Sequence, residues 1–222
     1  MKPESIDTEA RALAFFGRVT AGVSHEIKNA LAIINENAGL LEDLTLMAEE
    51  GRPLDPGRVA KVAENLAGQV RRADAMVKEM NAFAHSVDHP VKRVDLGAVA
   101  SRMAALAGRM AAGRRVTLQP SLPAEAIMVT TCEFKLQNLI WLCIALLVEA
   151  AEAPGTLRLT PETDGGAATL RIISPAGDVA PGEKALAESR AGELAEALGG
   201  EIRWDAAKGE FLLVIPHSPS SE

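Results

Sequence analysis

His25, Glu26 and Asn29, in the segment GVSHEIKNAL (residues 22–31), put an imidazole, a carboxylate and an amide within about one helical turn. An imidazole is the side chain suited to nucleophilic or proton-transfer work near neutral pH. One ring nitrogen can attack while the other keeps its proton. A neighbouring carboxylate can accept a hydrogen bond from that proton, and an amide one turn on can position water or an anionic oxygen. The three belong to a stretch from about Ala10 to Glu50 whose apolar residues Phe16, Val19, Val23, Ile27, Leu31, Ile34, Ala38 and Leu41 step by threes and fours, the spacing of one long amphipathic helix. At about 100° per residue, His25 lies roughly 200° from both Val23 and Ile27 and points away from that seam. Arg18, Gly22, Asn29, Ala32 and Glu36 share its side. From the residues alone, a solvated surface histidine is the more ordinary reading.

The elements that must position these groups follow from the rest of the chain. GRPLDPG, residues 51–57, is a cluster of helix breakers that closes the first helix. A second helix is expected from about Arg58 to His85, with Val59, Val62, Leu66, Val70, Ala73, Val77, Met80 and Ala84 on its apolar seam. Two such helices across a short loop form an antiparallel hairpin. Its seam is only half covered by one chain, so two hairpins paired as a four-helix bundle are expected, hence a homodimer. The character changes at SVDHPVKRVDLG, residues 86–97, where Pro90 ends simple helical continuation. We therefore expect two domains, residues 1–89 and 90–222.

In the second domain, Leu96 to Gly113 reads as a helix, RVTLQP and AIMVTT as short strands, and Cys132 to Ala153 as a buried helix. TLRLTPETDGGAATLRIIS reads as two alternating strands across an Asp-Gly-Gly turn. A helix near Gly182–Leu198 follows, stopped by Gly199 and Gly200, and then the hairpin EIRWDAAKGEFLLVIP. The fold class is α+β, with helices packed on one face of a sheet.

Of the 222 residues, 48% are hydrophobic and only 3% aromatic, so the core must be built mainly from Ala, Leu, Val, Ile and Met. The formal charge of −7, without a basic run, argues against a nucleic-acid partner. Cys132 and Cys143 form no CxxC pair and read as reduced thiols. The longest apolar candidate, NLIWLCIALLVEAAEA, is interrupted by Glu149 and Glu152 and is too short to span a bilayer. MKPESIDTEAR lacks the apolar core of a secretory signal. A cytoplasmic location without membrane contact is expected. His85 and His89 have helical metal-ligand spacing, but no carboxylate or thiol obviously joins them and Pro90 intervenes, so no metal site is expected. His217 is expected to be exposed and idle.

Over nearly its whole length the chain resembles the transmitter region of sensor histidine kinases. GRVTAGVSHEIKNALAIINENAGLLEDL is similar to the family's phosphoacceptor box, with the H-E-x-x-N spacing intact. MNAFAHSVDHPVKRVDL looks like the passage from the second helix into the ATP-binding domain, and ALGGEIRWDAAKGEFLLVIP like that domain's closing strands. The resemblance implies His25 as phosphoacceptor, Glu26 as general base or orienting carboxylate, and Asn29 as the group that positions water or a phosphoryl oxygen. It also implies response-regulator receiver domains as partners.

The ATP half departs from the family pattern. Leu146 stands where the magnesium-binding Asn belongs and Leu142 on the other characteristic Asn, and leucine cannot coordinate a hard cation. In SPAGD, residues 174–178, Ser174 replaces the Asp that recognises adenine, and Ala176 and Asp178 replace glycines. PGEKALAESRAGEL offers no glycine loop for phosphates. At Ala30 this chain lacks the family's usual proline, so the kink after the histidine is expected to be weak or absent. The expectation is a degenerate ATPase-like domain that binds no cofactor. The chain would be a phosphorelay histidine phosphotransferase that exchanges phosphate with receiver aspartates, downstream of a hybrid kinase, with Mg2+ supplied at the receiver. The alternatives are an atypical ATP-dependent sensor histidine kinase and a pseudokinase scaffold that binds response regulators.

Overall fold

Helix α1 spans Pro3–Glu49 and returns through residues 50–55 into helix α2, Pro56–Ala84. The computed structural model describes residues 3–152, 154–164, 166–174 and 189–217. Local chemistry sets the turn between the helices. Gly51 adopts φ +82°, which a glycine reaches without steric cost, and the Arg52 N–H reaches back to the Met47 carbonyl at 3.1 Å. Asp55 then caps α2 by accepting a 2.9 Å hydrogen bond from the Gly57 N–H, with Pro56 in the first turn, where its missing N–H costs nothing. Helix α1 runs without interruption through the buried Ala30.

After a 3-10 turn at His85–Val87 come strand β1 (Lys92–Asp95), helix α3 (Leu96–Gly113), strands β2 (Val116–Pro120) and β3 (Met128–Thr131), and helix α4 (Glu133–Ala150). Strands β4 (Gly155–Asp164) and β5 (Ala167–Ile173), helix α5 (Ala191–Glu196), and strands β6 (Glu201–Asp205) and β7 (Glu210–Ile215) complete the described chain. Five strands form one sheet in the order β2-β4-β5-β7-β6, with β2 and β4 parallel and the rest antiparallel. β1 and β3 form a separate antiparallel pair. The molecule is thus α+β, a helical hairpin followed by an α/β half.

Among the described residues the expected elements are found, α3 at its expected bounds and the others with shifted ends, and two differences have physical causes. β1 falls within residues 86–97, read above as a connecting passage. Its four residues KRVD bury only Val94, so the strand exists because β3 pairs with it. Val70, placed on the hairpin seam by its spacing, is 54% exposed, as are Leu31 at 54% and Val77 at 42%. The apolar stripe of each helix is wider than its partner in the same chain can cover. Residues 175–188, which include Ala176, Asp178 and most of the segment expected to start a helix near Gly182, lie outside the described residues.

One core runs through both halves. Leu157, Leu159, Leu170, Ile172, Phe211 and Leu213 from the sheet pack with Met103, Ala107, Leu136, Ile140 and Ile144 from α3 and α4, and the same cluster takes in Phe15, Val19 and Val23 of α1 and Phe83 of α2. At the junction, Phe15 lies 5.4 Å from the Phe83 ring, 5.4 Å from Phe134 and 6.0 Å from Trp141, while Phe16 stacks on Phe83 at 5.3 Å. A charge chain reinforces it. Arg102 of α3 reaches Glu79 of α2 at 3.1 Å and the buried Glu133 of α4 at 2.6 Å, and Lys92 pairs with Glu133 at 2.5 Å. Gly200 is required where it stands, because a Cβ there would come within 2.2 Å of the Val214 carbonyl oxygen.

Candidate functional site

His25 is exposed on α1, about midway along the helix, with Asn29 exposed one turn further on and Lys28 beside it. The helical periodicity of Phe15, Val19, Val23 and Ala30 turns the other face of α1 inward, and that leaves the imidazole on the flank. Glu26 occupies a different place. Its carboxylate is only 14% exposed and is held across the hairpin by Arg72 of α2, Nη2 to Oε2 at 2.6 Å. The imidazole has its own partner, since Nδ1 of His25 accepts a hydrogen bond from Arg109 Nη1, brought in by α3. A guanidinium has only donors. Nδ1 therefore carries a lone pair in this contact, and the single proton of a neutral ring sits on Nε2.

The structure thus places His25 and Asn29 on one side of α1 and engages His25 and Glu26 with separate cations. Arg72 and Arg109 were not singled out by sequence reasoning as site residues. They lie 46 and 84 positions from the groups they contact, and no local spacing signals that.

Leu142 and Leu146 of α4 differ in their surroundings. Leu142 is not fully in the core, as its helix pattern suggests. It lines a cleft of about 450 Å³ between α1, α4 and the start of α5, together with Arg11, Arg18, Lys135, Asn138 and Arg190. Leu146, one turn on, is half-buried against the core. Ser174 is buried at the end of β5.

His85 and His217 have structural partners. His85 Nδ1 lies 2.7 Å from Asp88 Oδ2 within the turn after α2. His217 is neither exposed nor idle. Its Nδ1–H donates to the Met128 carbonyl at 3.1 Å, and its own carbonyl accepts from the Thr130 N–H at 3.0 Å, which ties the segment after β7 to β3. Burial pushes the Cys143 thiol far above its ordinary range, so it is inert, whereas Cys132 is partly exposed. Among the described residues, no group of three or more His, Cys, Asp or Glu could hold a metal, and no helix is long and apolar enough to cross a membrane.

No family model matches the chain. Curated proteins do, two of them as follows. Sensor histidine kinase MtrB of Mycolicibacterium paratuberculosis is 25% identical over 196 residues, covering 84% of this chain and 33% of that protein. The C4-dicarboxylate transport sensor protein DctB of Rhizobium meliloti is 28% identical over 177 residues, 78% of this chain and 25% of that protein. Over most of its length the chain is thus similar in sequence to a sensor histidine kinase and to a transport sensor protein. It spans a third or less of the length of these relatives. Among solved structures, the Acinetobacter baumannii histidine kinase AdeS aligns with a TM-score of 0.47 at 15% identity, over 82% of this chain and 95% of that one.

Proposed function

We propose that this histidine kinase-like protein is a phosphorelay histidine phosphotransferase, which takes a phosphoryl group on His25 from a response-regulator aspartate and passes it to another, without binding ATP. The observation that carries this reading is a contrast. An exposed histidine sits in an intact H-E-x-x-N segment of α1, while by resemblance Leu146 of α4 stands where a nucleotide's magnesium would need an oxygen ligand and Leu142 stands at the family's other asparagine position. In the transfer, a lone pair of the imidazole forms the N–P bond as the P–O bond of the aspartyl phosphate breaks, and the carboxylate leaves with its electron pair. Once free of Arg72, Glu26 would take up the ring proton, and Asn29 would position water for loss of the phosphoryl group. Mg2+ would be held at the receiver's acidic site. The exposed Leu31, Val70 and Val77 support assembly of two hairpins into a four-helix bundle, with His25 on its flank. A hybrid kinase upstream is the proposed source of phosphate.

A second reading, an atypical ATP-dependent kinase, is favoured by the cleft beside Leu142, whose lining includes Arg18 and Lys135. Two assays separate the readings: incubation of the purified protein with labelled ATP and Mg2+, and incubation with a phosphorylated receiver domain. We expect label only from the receiver. It should be acid-labile and base-stable, as an N–P bond requires, and absent in His25→Gln. That variant should fold with a stability change within about 0.5 kcal/mol, because an exposed side chain loses little packing. Label from ATP would put the kinase reading first. Label on His25→Gln would make the histidine a bystander and favour a scaffold that binds receivers.

A further inference from the structure

We infer that Arg109 is a gate on His25, contributed by the α/β half, that holds the imidazole in a non-nucleophilic state until it is displaced. This rests on the proposed role of His25 and specifies how that site would be regulated. Each ring nitrogen is accounted for. Nδ1 has a lone pair, but that pair is directed at Arg109 Nη1, because the guanidinium can only donate. Nε2 bears the proton that the neutral ring must carry somewhere, and a protonated nitrogen has no pair with which to attack phosphorus. In this geometry neither nitrogen can form the N–P bond.

Both side chains are exposed, but the element that carries Arg109 is firmly held. α3 is fixed against the hairpin by the Arg102–Glu79 ion pair at 3.1 Å, about two turns before Arg109 on the same helix. It is fixed a second time through Glu133 of α4, whose neighbour Phe134 meets Phe15 of α1. The guanidinium is therefore delivered to His25 by docking of the α/β half. Release of Nδ1, either by rotation of Arg109 or by a partner that draws the guanidinium away, is the step that makes a ring nitrogen available. An acidic receiver surface has the chemistry to do this, as it offers carboxylates that compete for a guanidinium with geometry an imidazole nitrogen cannot match.

The test uses the full chain with phosphoramidate, a small phosphoryl donor that brings no protein surface to displace the arginine, and in parallel a phosphorylated receiver domain. Arg109→Ala should accelerate labelling of His25 by phosphoramidate roughly two- to tenfold, the range expected for loss of one ordinary hydrogen bond. Acceleration should be smaller with the receiver, which opens the gate itself. Nitrogen-15 NMR of His25 in the wild type should show a proton on Nε2 and an unprotonated Nδ1, and Arg109→Ala should shift the ring toward a mixture of tautomers. Unchanged labelling, or slower labelling because the arginine assists the incoming phosphoryl group, would overturn the gate. If the wild type takes no label from either donor, the phosphotransferase reading fails, and the tautomer measurement still decides whether Arg109 holds Nδ1.

Discussion

Phe15→Ala should be the most damaging single substitution at the junction of the two halves. The ring is fully buried and stands between α2 and α4, 5.4 Å from Phe83, 5.4 Å from Phe134 and 6.0 Å from Trp141. Truncating a buried phenylalanine costs about 3–5 kcal/mol, from lost transfer free energy and the cavity left behind. Collapse into that cavity is opposed here, because its walls belong to three different helices pinned by other contacts. Ring contacts, worth roughly 0.5–1.5 kcal/mol per aromatic pair, are lost with the same side chain and keep the cost out of the lower part of that range. We therefore expect a loss of about 4 kcal/mol, a large fraction of the roughly 5–15 kcal/mol that holds a typical domain folded. Phe16→Ala is the internal control. Its ring is half-buried and stacks on Phe83 alone among the aromatic residues, at 5.3 Å, so its loss should cost about 1–2 kcal/mol. Urea unfolding followed by circular dichroism and by tryptophan fluorescence measures both, with Trp141 reporting on the junction. Phe15→Ala should also separate the two halves in unfolding, so that the two probes no longer coincide. A cost below about 1 kcal/mol for Phe15→Ala, or a cost equal to that of Phe16→Ala, would refute the packing of α1 on α4.

Three further outcomes are expected. Val70→Asp should leave the single chain folded within about 0.5 kcal/mol, because Val70 is 54% exposed there, yet should dissociate the proposed dimer in sedimentation by placing a charge in an apolar interface; a stable dimer of this variant would place the interface elsewhere. Glu26→Gln should slow phosphoryl transfer about 10²-fold, the scale of a positioned acid–base group, whereas Arg72→Ala should not slow it, because it frees the carboxylate; single-turnover transfer from a phosphorylated receiver reads both. Cys132 should react with iodoacetamide in the native protein and Cys143 should not. Because burial raises the Cys143 thiol above its ordinary 9.0, the folded state favours the neutral form. The contribution is complete below that value and is lost as pH rises beyond it, so urea midpoints should fall from pH 8 to pH 10, and less so in Cys143→Ala.

The parts of the fold set by local signals were legible in the chain. α3 is observed at the bounds expected of it, and the structure shows the local signal at its start, where Asp95 caps it by accepting from the Gly97 N–H at 3.0 Å. The β4–β5 hairpin was legible from its Asp-Gly-Gly turn, where Gly166 takes φ +86°. β1 was not, because KRVD has neither alternation nor length, and its strand state comes from a partner in β3 36 or so residues away. The helical period of α1 and α2 marked an apolar stripe correctly but did not say what covers it. Val62 and Val70 share that spacing, yet the first is buried by α1 and the second is left to solvent. The exposed side of α1 that carries His25 was legible from the same angular argument. The arginines on the site were not, since surface cations at ordinary helix positions reveal their partners only when the hairpin closes and α3 docks.

The Glu26–Arg72 pair shows why adjacency in sequence is a poor guide to partnership on a helix. Residues one apart are separated by about 100° around the axis, so a carboxylate directly after an exposed histidine is turned toward the groove between the helices. There it meets Arg72, and the pair closes the hairpin's flank. Because Arg72 is 56% exposed, the pair behaves closer to a surface ion pair, worth about 0.2–1 kcal/mol, than to a buried one. Exchanging it for a bond to the imidazole is therefore a small step on the energy scale of a transfer reaction. A phosphoryl group arriving at His25 carries negative charge that attracts the same guanidinium, and a phosphate offers it more acceptor oxygens than one carboxylate does. In the proposed reaction the substrate would thus draw Arg72 away and free Glu26 when the ring proton has to leave. The separation of His25 from Glu26 in the resting structure is then what their helical geometry requires, and it leaves the proposed catalytic pair one side-chain exchange from assembly.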